Sequence, residues 1–229
     1  MDNNTMDLNI IAMVPARLGS QRLSKKNLRL LNGIPLVSRA LKKCLESECF
    51  DEIWMNSEDL IFKNFADQHG VNFYKRPAEL SNNTATSEDF VCDFLTNVEC
   101  DYIVQVHSIA PLLSVESIKS FVTHLKHRQP DALMSVELIQ LEALFQNKPI
   151  NFTFEQKTNS QDLSPVQRIS WSITAWKRDT FLQAVQAGEC ATYFGKIEFF
   201  PVNAMASHVI KTEQDLKIAE ALLPLIDNS

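Results

Sequence analysis

Glycine is scarce in this chain: 229 residues hold five. Neither the G-x-G-x-x-G turn of dinucleotide binders nor the G-x-x-x-x-G-K-[ST] phosphate loop is present, so hydride transfer and P-loop chemistry both fall away. Cysteine is sparse and unpatterned. Cys44, Cys49, Cys92, Cys100 and Cys190 are odd in number and form no C-x-x-C pair, which argues against a zinc ribbon and a disulfide framework. Reduced thiols in a cytoplasmic protein are the expectation. No apolar run approaches the roughly 20 residues that span a bilayer. The chain opens on Asp2 and Asn3 and not on a basic stretch before an apolar one, so neither membrane insertion nor export is expected.

The most informative absence is of acidic residues. Between Asp7 and Glu46 there is none, while Arg17, Arg22, Lys25, Lys26, Arg29, Arg39, Lys42 and Lys43 fall in that stretch. The rest of the chain is acidic, and the net charge is -6. A confined cationic zone on an acidic protein suits a small, highly charged anion such as a nucleoside triphosphate. A nucleic-acid backbone would call for a broad basic face, so no nucleic-acid partner is expected.

What is present is 45% apolar residues, enough for one well-buried unit over residues 1–229. The β-branched run Ile10 to Val14, stopped by Pro15, reads as a buried first strand. A polar loop follows over residues 16–28. After the Asn32-Gly33 turn signal, Pro35 reads as a first-turn residue of a helix with apolar Leu36, Val37, Ala40, Leu41 and Cys44. The alternation continues with strands at 53–55, 71–74, 102–106 and 132–136 and helices at 59–68, 87–97 and 115–127. Such alternation predicts a three-layer α/β fold with a mostly parallel sheet. Between about 138 and 170 regularity fails, as expected of a substrate loop or a dimerisation excursion. A strand at 171–176, a helix at 179–186 and a strand at 196–202 precede Thr212-x-x-Asp215, a capping-box start for a helix running through Leu225.

In an open parallel sheet, ligands bind outside the carboxyl ends of the strands, so the loop after the first strand is the expected nucleotide contact. It reads Pro15-Ala-Arg-Leu-Gly-Ser-Gln-Arg-Leu-Ser-Lys-Lys-Asn27. Gly19 lets backbone approach a phosphate, Ser20 offers a hydroxyl and an amide, and Arg17, Arg22 and Lys26 supply charge-assisted bonds.

The pattern P-A-R-x-G-S-x-R-x-x-x-K-N, followed by L-x-G-x-P-L, resembles the signature of the acylneuraminate cytidylyltransferase family. Three further segments are similar: Arg76-Pro-Ala-Glu-Leu-Ser81 with Thr84-Ala-Thr-Ser87, Gln105 to Leu112, and Thr212-Glu-Gln-Asp-Leu216. The resemblance implies a Rossmann-like sheet of the nucleotide-diphospho-sugar transferase type, and a homodimer built on the excursion at about 140–200. It also implies transfer of CMP from CTP to a sialic-acid-like or related 2-keto sugar acid, with release of pyrophosphate. Ala16, Arg17, Ser20, Lys26 and Asn27 would hold the nucleotide and its phosphates, with Arg22 assisting. Arg17, Arg22 and Lys26 would serve catalysis. Arg76, Ala85 and Ser87 would line the base and ribose region, and Gln105 would face the sugar acid. Plainer roles stand beside these: a surface ion pair for Arg76, a helix N-cap for Ser87, an ordinary strand end for Gln105.

Arg168 is the candidate for the sugar carboxylate, because a planar guanidinium suits bidentate binding. Trp171 and Trp176 are candidates for shaping the sugar pocket or for core positions, and His107 for a catalytic or a structural role.

The family also implies Mg²⁺, held by an acidic pair before the final helix. Here Val209-Ile-Lys211-Thr212 stands in that place, and Lys211 cannot ligate a hard cation that wants oxygen donors. Ser57 and Leu113 likewise replace an aspartate and an arginine of the family pattern. Lys211 is therefore a candidate substitute for the metal's charge. A binding homologue with impaired catalysis is the alternative to an active transferase.

Overall fold

The computed structural model describes residues 8–227, so Asp2 and Asp7 lie outside the described residues. Seven strands form the central sheet: β1 (Ile10–Pro15), β2 (Glu52–Ser57), β3 (Asn72–Lys75), β4 (Tyr102–Val106), β5 (Ala132–Ile139), β6 (Val166–Lys177) and β7 (Ile197–Val202). Their order is β7-β5-β6-β4-β1-β2-β3. Neighbours run parallel except where β6 lies antiparallel between β4 and β5.

The apolar run of β1 is explained by burial on both faces. Ile10, Ala12 and Val14 enter one core and Ile11 and Met13 the other, all fully buried. Strands covered on both sides need such continuous runs. The first core is roofed by α1 (Leu36–Ser47), α2 (Ile61–His69) and α4 (Val115–Arg128), through Val37, Leu41, Phe62 and Phe121 among others. The second lies under α3 (Ser87–Asn97) and α5 (Arg178–Ala187), through Val91, Phe94, Phe181 and Ala184.

A third, smaller cluster positions the site. Leu23 of the loop after β1, with Leu31 and Leu36, packs on Ile210 and on Leu216 and Ala219 of α6 (Glu213–Leu222). α6 is thereby clamped beside the loop. Thr212 caps α6 in a reciprocal capping box with Asp215, as the spacing predicts.

Several boundaries differ from the sequence reading. Pro35 is the N-cap of α1 and not its first turn, because it closes a two-residue hairpin around Asn32 and Gly33, both at positive φ. Asp59 precedes α2 and accepts the Ile61 amide at 2.8 Å, moving the helix start two residues on. α6 ends at Leu222, because Pro224 offers no amide to continue it.

The strand expected at 171–176 begins at Val166, and its register with β5 shifts between Ile169 and Thr174. Trp171 sits in that irregularity at φ 57, an outlier conformation for a bulky residue. The displaced amides of Ser172 and Ile173 instead donate to the buried Ser135 hydroxyl, each at 3.2 Å. A side chain thus replaces part of the lost ladder. No helix among the described residues is long and apolar enough to cross a membrane.

Candidate active site

A cavity of about 320 Å³ opens beyond the carboxyl ends of β1 and β4. The loop after β1 supplies one wall: Pro15, Ala16, Arg17, Ser20, Gln21, Arg22, Lys26 and Asn27. Arg76, Leu80, Ala85, Ser87 and Phe90 supply another, and His107, Ser108 and Ile109 the floor after β4. Nine residues expected from sequence to serve the nucleotide therefore meet in one lining, Ala16, Arg17, Ser20, Arg22, Lys26, Asn27, Arg76, Ala85 and Ser87, and the candidate His107 joins them.

The loop is held by its own polar groups. Arg17 Nη1 donates to the carbonyls of Ser81 (3.3 Å) and Asn82 (2.6 Å), joining two walls. Asn27 is buried; its Nδ2 donates to the Arg17 carbonyl at 3.0 Å, and its Oδ1 accepts the Ser108 hydroxyl at 2.8 Å. Gly19 is exposed, and a side chain there would meet no protein atom within 4 Å. Among the described residues none requires glycine at 19, which stands outside the cavity lining.

Arg76 is not a surface ion pair. It is 2% exposed, and its Nη2 donates to the Ala16 carbonyl at 2.6 Å and to Glu58 Oε2 at 3.2 Å. Its guanidinium lies 4.7 Å from the centroid of the Phe90 ring. Glu58 Oε1 also accepts the Leu18 amide at 2.9 Å, so the pair pins the loop at two points. Burial lowers the Arg76 pKa, and Glu58 opposes that shift. Ser87 is not a cap: Thr86 occupies that position, accepting from the Asp89 amide in a capping box that leaves Ser87 in the first turn.

The field in the cavity is cationic. Burial lowers the Lys26 pKa first, and the charges of Arg22, Arg17 and Lys211 lower it further against the opposing effect of Asp215. Like charges crowded in this way favour an anion between them. His107 is pushed down to about 4, by burial and then by Lys26, and its Nε2 is buried without a partner. The imidazole is neutral at physiological pH and can exchange one hydrogen bond with a ligand.

Gln105, Arg168 and Lys211 are not in the lining. Gln105 is 1% exposed, and both atoms of its amide lack partners, as do Asn56 Oδ1 and Thr174 Oγ1 nearby on the sheet. Arg168 stands opposite Glu137 in the β5–β6 ladder, donates through Nε to Glu137 Oε2 at 3.1 Å, and reaches Ser207 Oγ at 3.1 Å. Trp176 is core, and Trp171 packs edge-on against Tyr193 at 6.4 Å. Leu113 is buried in the first core.

The residues present do not fit a protein-held Mg²⁺. No carboxylate lines the cavity among the described residues, and no cluster of three or more His, Cys, Asp or Glu that could hold a metal occurs among them. Asp215 Oδ2 accepts from the amides of Lys211 and Thr212 and from the Thr212 hydroxyl, at 2.8 to 2.9 Å. Its Oδ2 is thereby held at the start of α6.

Glu58, Phe90 and Ser108 were not singled out from sequence. Glu58 and Ser108 follow the carboxyl ends of β2 and β4, the positional signal that marks the first loop. Phe90 carries no such signal, because its contact with Arg76 depends on how α3 is seated.

A family model described as "Cytidylyltransferase" matches residues 11–225. The N-acylneuraminate cytidylyltransferase of Oncorhynchus mykiss is 23% identical over 193 residues, covering 80% of this chain and 45% of that protein. One from Streptococcus agalactiae serotype V is 26% identical over 193 residues, covering 80% of this chain and 47% of that protein. The chain thus spans a little under half the length of these relatives.

Among solved structures, a CMP:2-keto-3-deoxy-manno-octonic acid synthetase complexed with CTP superposes with a TM-score of 0.74 at 17% identity, covering 95% of this chain and 99% of that one. A 4-diphosphocytidyl-2C-methyl-D-erythritol synthase from Anaerococcus prevotii gives 0.70 at 15% identity, covering 97% and 100%.

Proposed function

The chain belongs to the cytidylyltransferase family, and from that premise we propose that it transfers CMP from CTP to a sialic-acid-like or related 2-keto sugar acid. The observation that carries this reading is the meeting of the loop after β1 with Arg76, Ala85 and Ser87 in one cavity whose lining holds no carboxylate. The anomeric hydroxyl attacks the α-phosphorus, a new oxygen–phosphorus bond forms, the bond to the β-phosphate breaks in line, and the hydroxyl proton leaves to solvent. In such transfers the protein positions the reactants and neutralises developing charge. Lys26, Arg17 and Arg22 stabilise the departing pyrophosphate, Ser20 and Asn27 orient the phosphates, and Arg76, Ala85 and Ser87 hold the nucleoside. Arg168 exchanges Glu137 for the sugar carboxylate.

Pyrophosphate release with CTP, UTP or ATP and a panel of 2-keto sugar acids tests the proposal. Release is expected with CTP and at least one acid. No release with CTP and any acceptor would contradict it. The carboxylate-free lining favours a second reading, a nucleotide-binding homologue without turnover, which CTP binding alongside that silence would select.

Two copies pair in this reading, through the exposed apolar side chains of Leu141, Leu144, Phe145, Ile150 and Phe154 in the excursion. The five unpaired cysteines support a cytoplasmic setting.

A further inference from the structure

We propose that the cavity takes its nucleoside triphosphate as the metal-free anion, with the Lys211 ammonium supplying, beside Lys26, charge that a divalent cation would otherwise bring. The inference rests on the reading of the cavity as a nucleotide site and concerns the ionic form that it selects.

Three observations carry it. The first is the donor set. Three carboxylates near the loop are engaged elsewhere: Glu58 with Arg76 and the Leu18 amide, Glu213 through Oε1 with Arg29 at 2.6 Å, and Asp215 through Oδ2 with the amides that open α6. A Mg²⁺ ion bound to the triphosphate would meet guanidinium and ammonium groups, which cannot ligate it and repel it.

The second is the placing of Lys211. Ile210 is fully buried in the third core cluster, and its amide donates at 2.8 Å to the carbonyl of Ile109, a residue of the cavity floor. The next amide, of Lys211, is held at 2.9 Å by Asp215. The backbone of Lys211 is therefore fixed on both sides at the rim, while its side chain is exposed.

The third is reach. The charge of Lys211 acts on Lys26 inside the cavity together with those of Arg17 and Arg22. Arg17, Arg22 and Lys26 in the lining and Lys211 at the rim, offset by Asp215, leave a net positive site that complements a free triphosphate of about four negative charges. Complexing with Mg²⁺ removes two of those charges, so this site should prefer the uncomplexed nucleotide.

Calorimetric titration of CTP into the full chain tests this, once in EDTA and once with excess Mg²⁺, for wild type, Lys211→Ala and Lys211→Asp. Wild type should bind in EDTA at least as tightly as in Mg²⁺. Lys211→Ala should bind about tenfold more weakly in EDTA, the loss typical of one charge-assisted bond. Lys211→Asp should lose more in EDTA and regain affinity when Mg²⁺ is added. Circular dichroism and thermal melts confirm that the variants fold, as expected for a change at an exposed side chain.

Wild-type binding that requires Mg²⁺, or Lys211→Ala affinity equal to wild type in EDTA, would overturn the inference and leave the nucleotide site standing. Absence of CTP binding in both buffers would overturn the nucleotide site itself, and the inference with it.

Discussion

Arg76 shows how much of this site depends on single buried groups. The residue is 2% exposed, and among the described residues Glu58 is the one carboxylate within hydrogen-bonding reach of its guanidinium. Replacing Glu58 with Gln keeps the shape but leaves the guanidinium uncompensated, and removing one partner of a buried pair costs about 3 kcal/mol. Urea denaturation of Glu58→Gln should show a loss of that order, together with weaker nucleotide binding as the Leu18 amide loosens. Unchanged stability would show that Arg76 does not need its partner.

His107 gives a pH prediction. Its folded-state pKa, about 4, lies below the ordinary 6.5, so the unfolded chain binds more protons between those values. The resulting stability is fully present above pH 6.5 and is lost as pH falls toward 4, by up to about 3 kcal/mol. Carboxylates titrate in the same range. The comparison is therefore with His107→Gln, whose stability relative to wild type should rise steadily from pH 7 to pH 4.5.

At this scale Arg17 and Lys26 were legible through their charge and their place after β1, and Asn27 through the family resemblance. For Arg76 the plainer alternative of a surface pair does not hold, because its side chain is buried and meets Phe90 and Glu58, contacts made through the fold.

At the scale of elements, caps and alternation were readable because they are local. Thr212 and Asp215 form the predicted box, and β1 alternates its side chains between two cores as its unbroken apolar run requires. Thr212→Ala should cost about 1 kcal/mol of stability, the usual worth of an N-cap. A urea midpoint indistinguishable from wild type would show that α6 is held by the third core cluster alone.

The irregularity in β6 was not readable. Trp171 at φ 57 follows from Ser135 capturing the amides of residues 172 and 173, a contact between positions about 37 apart in sequence. That bulge also meets the site, since the Ser172 carbonyl accepts the His107 amide at 3.2 Å.

For the whole molecule, the charge pattern carried the clearest signal. An acid-free stretch on a chain of net charge -6 becomes one wall of a cationic cavity. The mostly parallel sheet followed from alternation, but the antiparallel insertion of β6 between β4 and β5 did not, since strand order is a long-range property. The clamp of Leu23, Leu31 and Leu36 on Leu216 and Ala219 is likewise invisible along the chain, yet it sets the start of α6 against the loop that carries Lys26.

The account as a whole depends on that wall gripping a triphosphate. Calorimetric titration of CTP into wild type and Lys26→Ala, with folding checked by circular dichroism, measures this most directly. At least a tenfold loss of affinity in the variant is predicted, as expected for removing a half-buried cation from a phosphate site. Equal affinity in a folded variant would contradict it.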